Sequence, residues 1–166
     1  MGLSEIIEAA ERVGAYEEAR RDAFRREFSQ YDADETAPFE ATREAIGNER
    51  EALETLARQL DEEEANIERL AEEASFLTVD QAVRHRDETV EKLRAHNRHL
   101  RTFHGAMSAA LDAVETNLDA LADAGPDAVE ADPEPQFERA HDALAAHDEA
   151  IEGVDRNMMI LNAYLL

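Results

Sequence analysis

The stretch RHRDETVEKLRAHNRHLRTFH, residues 84–104, carries the densest group of side chains that could do chemistry. It contains six of the 17 lysines and arginines and four of the six histidines, in a chain whose formal net charge is -23. Imidazoles can ligate a metal or accept a phosphoryl group, and clustered cations can bind nucleic acid. The side chains can act together only if they lie on the same face of their helix or strand.

Apolar residues recur with a seven-residue period over most of the chain, which is typical of long helices that pack as coiled coils. Residues 30–38 and 123–135 are rich in turn-forming residues, and Thr78 followed by Gln81 forms a capping box. We therefore predict four helices, at about 4–30, 37–75, 79–123 and 135–165. Because short connections favour antiparallel neighbours, the predicted fold is all-α, an elongated antiparallel four-helix bundle or coiled coil forming a single domain over residues 1–166.

On the third helix the basic residues of the 84–104 run scatter over several heptad positions, with acidic residues among them. A nucleic-acid surface needs a continuous positive face, so we predict no binding to nucleic acid. We expect these arginines to form ion pairs with Asp and Glu residues of helices two and four. The histidines also lack the spacing of nearby small and basic residues that is typical of phosphotransfer helices.

Two polar residues of the third helix, Asn97 and His104, fall at core a positions of the heptad, and His147 of the fourth helix falls at a core d position. A polar residue in a coiled-coil core lowers stability but fixes register and partner choice. Register is therefore the first interpretation of Asn97 and His104. The other histidines of the run are predicted on the rim or the outside of the bundle: His85, His96 and His99.

The alternative interpretation is a metal site inside a ferritin-like bundle. His104 is predicted in the same layer as Glu49 of the second helix, Glu17 and Arg20 of the first and Asp155 of the fourth. His147 is a further candidate ligand. Imidazole and carboxylate ligands suit Zn or Fe. Di-iron bundles use two Glu-x-x-His pairs, whereas this chain has one, near the start of the fourth helix. Under the first interpretation no cofactor is predicted.

The segment MMILNAYLL, residues 158–166, is apolar on nearly every side of its helix. A helix that is apolar all round is buried on more than one side, and an exposed patch of this kind marks an interaction surface. We predict self-association, as a homodimer, or docking to a protein partner at this end. The alternative is that the overhanging ends of helices two and three fold over this segment. The predicted interface residues are Met159, Ile160, Tyr164, Leu165 and Leu166.

The amino-acid composition indicates the solvent in which the protein works. The chain has 40 Asp and Glu residues, a single lysine and no cysteine. Such a surface resembles that of halophilic proteins, which work in molar KCl, where the Debye length is about 3 Å. No basic leader and no apolar run of bilayer length occurs, so we expect a cytoplasmic protein with no membrane contact. The predicted function is a non-enzymatic coiled-coil bundle that acts by protein–protein association, as a homo-oligomer, adaptor or assembly subunit, with no catalytic residue.

Overall fold

The computed structural model describes residues 3–31 and 39–165. Within these ranges the chain forms α-helices, short 3₁₀ turns and no strand, which confirms the predicted all-α bundle. None of the helices in this part of the chain has an apolar stretch long enough to cross a membrane. The helices are α1 (Leu3–Ser29), α2 (Glu40–Glu73), α3 (Asp80–Ala124), α4 (Glu134–Ile151) and α5 (Val154–Leu165), with 3₁₀ turns at Ala74–Phe76 and Pro126–Ala128.

The start of α2 is capped by a side chain of α1. Phe39, which precedes α2, has a positive φ of 48° and makes no side-chain cap. The carboxylate of Glu27 instead accepts hydrogen bonds from the backbone N–H groups of Ala41 and Thr42, at 2.9 Å each. Although burial raises the pKa of Glu27, hydrogen bonds from the Thr42 hydroxyl and from these two amides hold it below its usual value. The two helices are thus joined at their connection.

Ion pairs set the register between α2 and α3. As the residue number of the α2 partner increases from pair to pair, that of the α3 partner decreases, which is the pattern of two antiparallel helices. Each exposed pair is worth at most about 1 kcal/mol, but together they disfavour a shifted register. The pairs are Arg43 with Asp119, Arg50 with Asp112 and Glu115, Asp61 and Glu64 with Arg101, and Glu68 with Arg94.

The bundle is incompletely closed between its first and fourth helices. α1 packs on α2, α2 on α3, and α3 on both α4 and α5, whereas α1 and α4 are not a closely packed pair among the described residues. Side chains bridge this α1–α4 seam: Phe137 of α4 lies against Arg20, and His141 Nε2 lies 3.3 Å from Glu17 Oε2. α3 is therefore the central helix, covered on two sides.

The heptad prediction is confirmed for the core of α2. Its buried a positions are Ile46, Leu53, Leu60 and Ile67, and its buried d positions are Thr42, Glu49, Leu56 and Glu63. On α3 the buried face is wider than predicted, because α2 covers one side and α4 covers another. The g positions of α3 are buried as well: Ala82, Thr89, His96, Phe103 and Ala110.

The predicted fourth helix is interrupted between α4 and α5 at Gly153, which has a φ of 79°. Lys92, the single lysine, donates from Nζ to the backbone carbonyl of Glu152 at 2.5 Å and so satisfies an orphan carbonyl where α4 ends. α5 nevertheless continues along α3, since the Tyr164 hydroxyl donates to Gln81 Oε1 at 3.3 Å. The prediction of one continuous helix over 135–165 is therefore wrong, because the helix is interrupted at Gly153.

The capping box predicted at Thr78 and Gln81 is also wrong. α3 begins at Asp80 after an extended Val79, and no side-chain hydrogen bond caps it within the described structure. Gln81 bonds to Tyr164 instead. Residues 32–38 of the predicted first loop, with the predicted helix start at 37, lie outside the described residues.

Candidate functional site

Two histidines meet in the interior between α3 and α4. The Nδ1 atoms of His96 and His147 are 2.6 Å apart, and the ring centroids are 4.5 Å apart. Both side chains are almost completely buried. On the opposite side of His96, Oε1 of Glu63 lies 3.2 Å from Nε2. Together with Asn97, these three residues form what we call the histidine layer, to which α2, α3 and α4 all contribute.

Asn97 links the histidine layer to the surface. Its Nδ2 donates to Oε2 of Glu63 and to the backbone carbonyl of Leu60, both at 2.9 Å. Its Oδ1 accepts a hydrogen bond of 2.8 Å from Nε of Arg101, which also pairs with two carboxylates of α2. A polar group is tolerated in a core when its donors and acceptors are satisfied in this way. Asn97 is buried, as the heptad predicts.

The geometry constrains the protons of the histidine pair. Two Nδ1 atoms share a hydrogen bond only when one carries the proton and the other presents a lone pair. Which ring donates depends on the tautomers, because Nε2 of His96 faces Glu63 while Nε2 of His147 lies 3.5 Å from Oδ1 of Asp148. Burial and the neighbouring His96 lower the pKa of His147, against the opposing effect of Asp148 and Glu63. The environment of the layer therefore favours the neutral form of His147.

The histidine layer in this arrangement does not fit a metal ion. Two imidazole nitrogens bound to tetrahedral zinc at about 2.0–2.1 Å lie roughly 3.3 Å apart. The two Nδ1 atoms are closer than this, at a distance that suits a shared proton. His96 also directs its two nitrogens at different partners, Glu63 and His147, so the three side chains do not converge on one point. Among the described residues, no group of three or more His, Asp or Glu side chains is arranged to hold a metal ion.

A second buried polar group, which we call the arginine layer, consists of Glu17, Arg20 and Glu49. Nε of Arg20 donates to Oε2 of Glu49 at 2.7 Å, and both side chains are buried. The guanidinium also lies 4.8 Å from the centroid of the Phe137 ring. Burial raises the pKa of Glu49, and the positive charge of Arg20 opposes this shift. Three members of the polar layer predicted from the heptads thus come together.

The four candidate metal ligands are divided among separate places. Glu17 and Glu49 belong to the arginine layer, and His147 belongs to the histidine layer. His104 belongs to neither layer and is only partly buried; burial and the nearby Arg101 lower its pKa. The core position predicted for His104 is therefore wrong, and the geometry gives the predicted Zn or Fe set no support.

Sequence reasoning missed His96, which the heptad places at a rim g position. α4 covers that side of α3, so His96 is buried. One heptad further along, Phe103 rather than His104 faces the core. A signal for this layer exists in α2, where Glu63 occupies a core d position. A carboxylate in the core predicts a polar partner on a facing helix.

The basic residues of the 84–104 run are largely scaffold. Arg94 and Arg101 pair with carboxylates of α2, as expected. Arg86 and Arg98 instead pair with carboxylates of α3 itself. Lys92 helps to end α4. Lys92 also lies 3.9 Å from Glu88, so five of these six cations form ion pairs within the bundle.

Large apolar side chains are exposed at the end of the molecule where α2 ends and α3 begins. Phe76 is 68% exposed and Val79 is 55% exposed; on α5, Met159 is 75% exposed and Tyr164 is 39% exposed. The bond from Tyr164 to Gln81 places the end of α5 beside the start of α3. We call Phe76, Val79, Met159 and Tyr164 the end patch.

The end patch overlaps the interface predicted from the sequence. Met159 and Tyr164 are exposed, whereas Ile160 is partly buried. Leu166 and the side chain of Leu165 lie outside the described residues. The sequence does not indicate that Phe76 and Val79 belong to the same patch, because they lie some 80 positions from α5.

Comparisons of the chain with protein-family models, with curated proteins and with solved structures found no match. Function is therefore inferred from the geometry of the chain itself.

Proposed function

We propose that this protein is a non-enzymatic helical bundle that acts by association, and that it binds a second copy of itself through the end patch. The observation that supports this is the exposure of four large apolar side chains at one end of a chain in which 40 of 166 residues are Asp or Glu. Apolar surface of this kind is stabilised by burial against other apolar surface. The predicted role as a homo-oligomeric assembly subunit follows.

A second copy is the partner that the end patch suits best. A two-fold contact brings the same patch of each chain together, so that apolar residues face apolar residues. Contact at one end of a long bundle also keeps the acidic flanks apart, which limits repulsion between two chains of charge -23. In a halophilic cytoplasm, molar KCl shortens the Debye length to about 3 Å and weakens that repulsion further.

The two buried polar layers favour a structural role for the rest of the bundle. A slide of one helix by a heptad would separate Arg20 from Glu49 and His96 from His147. Unpaired polar groups in a core are costly, so each layer disfavours alternative registers. A fixed register holds Val79, which precedes α3, and Met159 of α5 in one relative position, which a self-complementary contact requires.

Multi-angle light scattering in molar KCl, over a range of protein concentrations, tests the proposal. We expect the wild type to reach twice the mass of one chain. The double variant Val79→Asp with Met159→Asp is expected to have the mass of one chain while keeping its helical circular dichroism. Val129→Asp is the matched control, because Val129 is 40% exposed and lies outside the end patch. A wild type that stays at the mass of one chain, or a dimer that survives the double substitution, would contradict the proposal.

A further inference from the structure

A cavity of about 830 Å³ lies at the α1–α4 seam, near the opposite end of the bundle from the end patch. α1, α3, α4 and the connection before α4 supply its walls. Most of the wall is apolar, with side chains that include Phe24, Phe28, Leu118, Val129 and Phe137. Phe24 and Phe28 belong to a stacked aromatic group at the connection between α1 and α2. Stacking of these rings stabilises the wall on this side of the cavity.

The charged side chains that line this cavity are arginines, although the chain as a whole is acidic. Arg20, Arg21 and Arg25 line it, and their carboxylate partners Glu49, Glu17 and Asp22 are not among its lining residues in the described structure. By contrast, a second cavity of about 550 Å³ is lined by Glu63 and Asp155 and, within the described ranges, by no Lys or Arg. We call the first the basic cavity and the second the acidic cavity. In a chain with 40 acidic and 17 basic residues, a lining of arginines without carboxylates is a specific feature.

Arg20 gives the basic cavity an unsatisfied donor. Its Nε bonds to Glu49, but its Nη2 is shielded from water and has no hydrogen-bond partner among the described residues. A buried N–H group without an acceptor is destabilising. The ring of Phe137 lies near the guanidinium groups of both Arg20 and Arg21, at 4.8 and 5.8 Å from its centroid. An anion at this place would supply the missing acceptor.

We infer that the basic cavity binds an amphipathic anion, a hydrocarbon chain that carries one carboxylate or phosphate. Its volume lies within the range of about 300–1,000 Å³ typical of ligand sites, which are mostly apolar with a few polar groups. Arg20 and Arg21 hold the head group beside Phe137, because guanidinium groups match both carboxylate and phosphate. The hydrocarbon chain lies against the apolar wall at Leu118 and Val129.

Three probes of equal chain length test this inference on the full chain in molar KCl: decanoate, decyl phosphate and decyltrimethylammonium, each below its micelle concentration. We expect calorimetry and saturation-transfer NMR to show one site per chain for the anions and none for the cation. Tighter binding of decanoate than of decyl phosphate would indicate a free carboxylate as the ligand, and the reverse order a phosphate head group. Equal binding of all three probes, or no binding of either anion, would overturn the inference.

Two variants locate the site. Arg21→Gln removes one guanidinium and leaves the Arg20–Glu49 pair in place, and we expect it to weaken binding of the preferred anion by about tenfold or more. Val129→Asp puts a carboxylate into the lining and is expected to abolish binding. Val79→Asp, in the end patch, is the matched control and is expected to bind as the wild type does. Wild-type affinity in both Arg21→Gln and Val129→Asp would sink the assignment, provided that helical content is unchanged.

Discussion

The Nδ1 atoms of His96 and His147 face each other at 2.6 Å in the core, although the residues are 51 positions apart in the sequence. This contact joins α3 to α4, and Glu63 on the other side of His96 joins the same layer to α2. His147 is buried and its pKa is lowered, so its protonation is coupled to folding. It therefore gives the bundle a measurable response to pH.

We predict that the unfolding free energy falls as the pH is lowered from about 7.5 to about 5. Burial holds the pKa of His147 below its ordinary value of 6.5, so the unfolded chain takes up a proton at a pH where the folded chain does not. The contribution of His147 to the unfolding free energy is present above the pKa that His147 has in the unfolded chain. It is lost as the pH falls toward the lower pKa that His147 has in the folded chain. Urea denaturation at a series of pH values measures it. The groups near His147 that shape this titration are His96, Asp148, Glu63 and His99.

His147→Gln is expected to flatten this pH dependence, because the amide keeps polar contact with His96 but does not titrate. His85→Gln is the control, since His85 lies near the start of α3, outside the histidine layer, and its replacement should leave the slope close to that of the wild type. An equal pH dependence in wild type and His147→Gln would show that the buried pair does not carry the effect.

We predict that removing one partner of the Arg20–Glu49 ion pair lowers the unfolding free energy more than removing both. Glu49→Leu leaves a buried guanidinium without its carboxylate and is expected to lower the unfolding free energy by about 3–5 kcal/mol. Arg20→Met combined with Glu49→Leu is expected to come within about 1 kcal/mol of the wild type, because both charges are then removed. A double-mutant cycle by denaturant unfolding measures the coupling, and additive effects of the two substitutions would refute it.

We predict opposite effects for alanine at two glycines. Gly153 has a φ of 79° in the break between α4 and α5, so Gly153→Ala is expected to destabilise the protein by about 1–2 kcal/mol. Gly105 lies inside α3 with open space where a Cβ would sit, so Gly105→Ala is expected to stabilise it by about 0.5–1 kcal/mol. Thermal unfolding of both variants checks the pair. A stabilising Gly153→Ala would indicate that α4 and α5 form one helix.

The sequence predicts the helices well because the seven-residue period is a local property of each helix. Ile46, Leu53 and Leu60 lie in the core as expected, and so does the polar Asn97. The heptad model fails where it assumes one contact seam for each helix. α3 has neighbours on two sides, and for that reason His96 is buried and His104 is not.

Long-range contacts account for the other differences. At the break between α4 and α5, the carbonyl of Glu152 accepts a hydrogen bond from Lys92, which is 60 positions away. In the end patch, the bond from Tyr164 to Gln81 brings α5 beside the start of α3, and the basic cavity brings arginines of α1 together with the connection before α4. The periodicity of a single helix does not predict contacts between residues that are distant in the sequence. A carboxylate at a core position, such as Glu63, does indicate that a polar partner lies on a facing helix.

Crosslinking through a single introduced thiol tests self-association at the end patch most directly. The chain has no cysteine, so Met159→Cys places one thiol in the patch, and Ala109→Cys places one on an exposed part of α3 as the control. Each variant is treated with a short bis-maleimide reagent in molar KCl at a concentration where light scattering reports dimers. We predict a covalent dimer from Met159→Cys and little from Ala109→Cys. Equal yields from the two variants, or no dimer from Met159→Cys, would contradict association through the end patch.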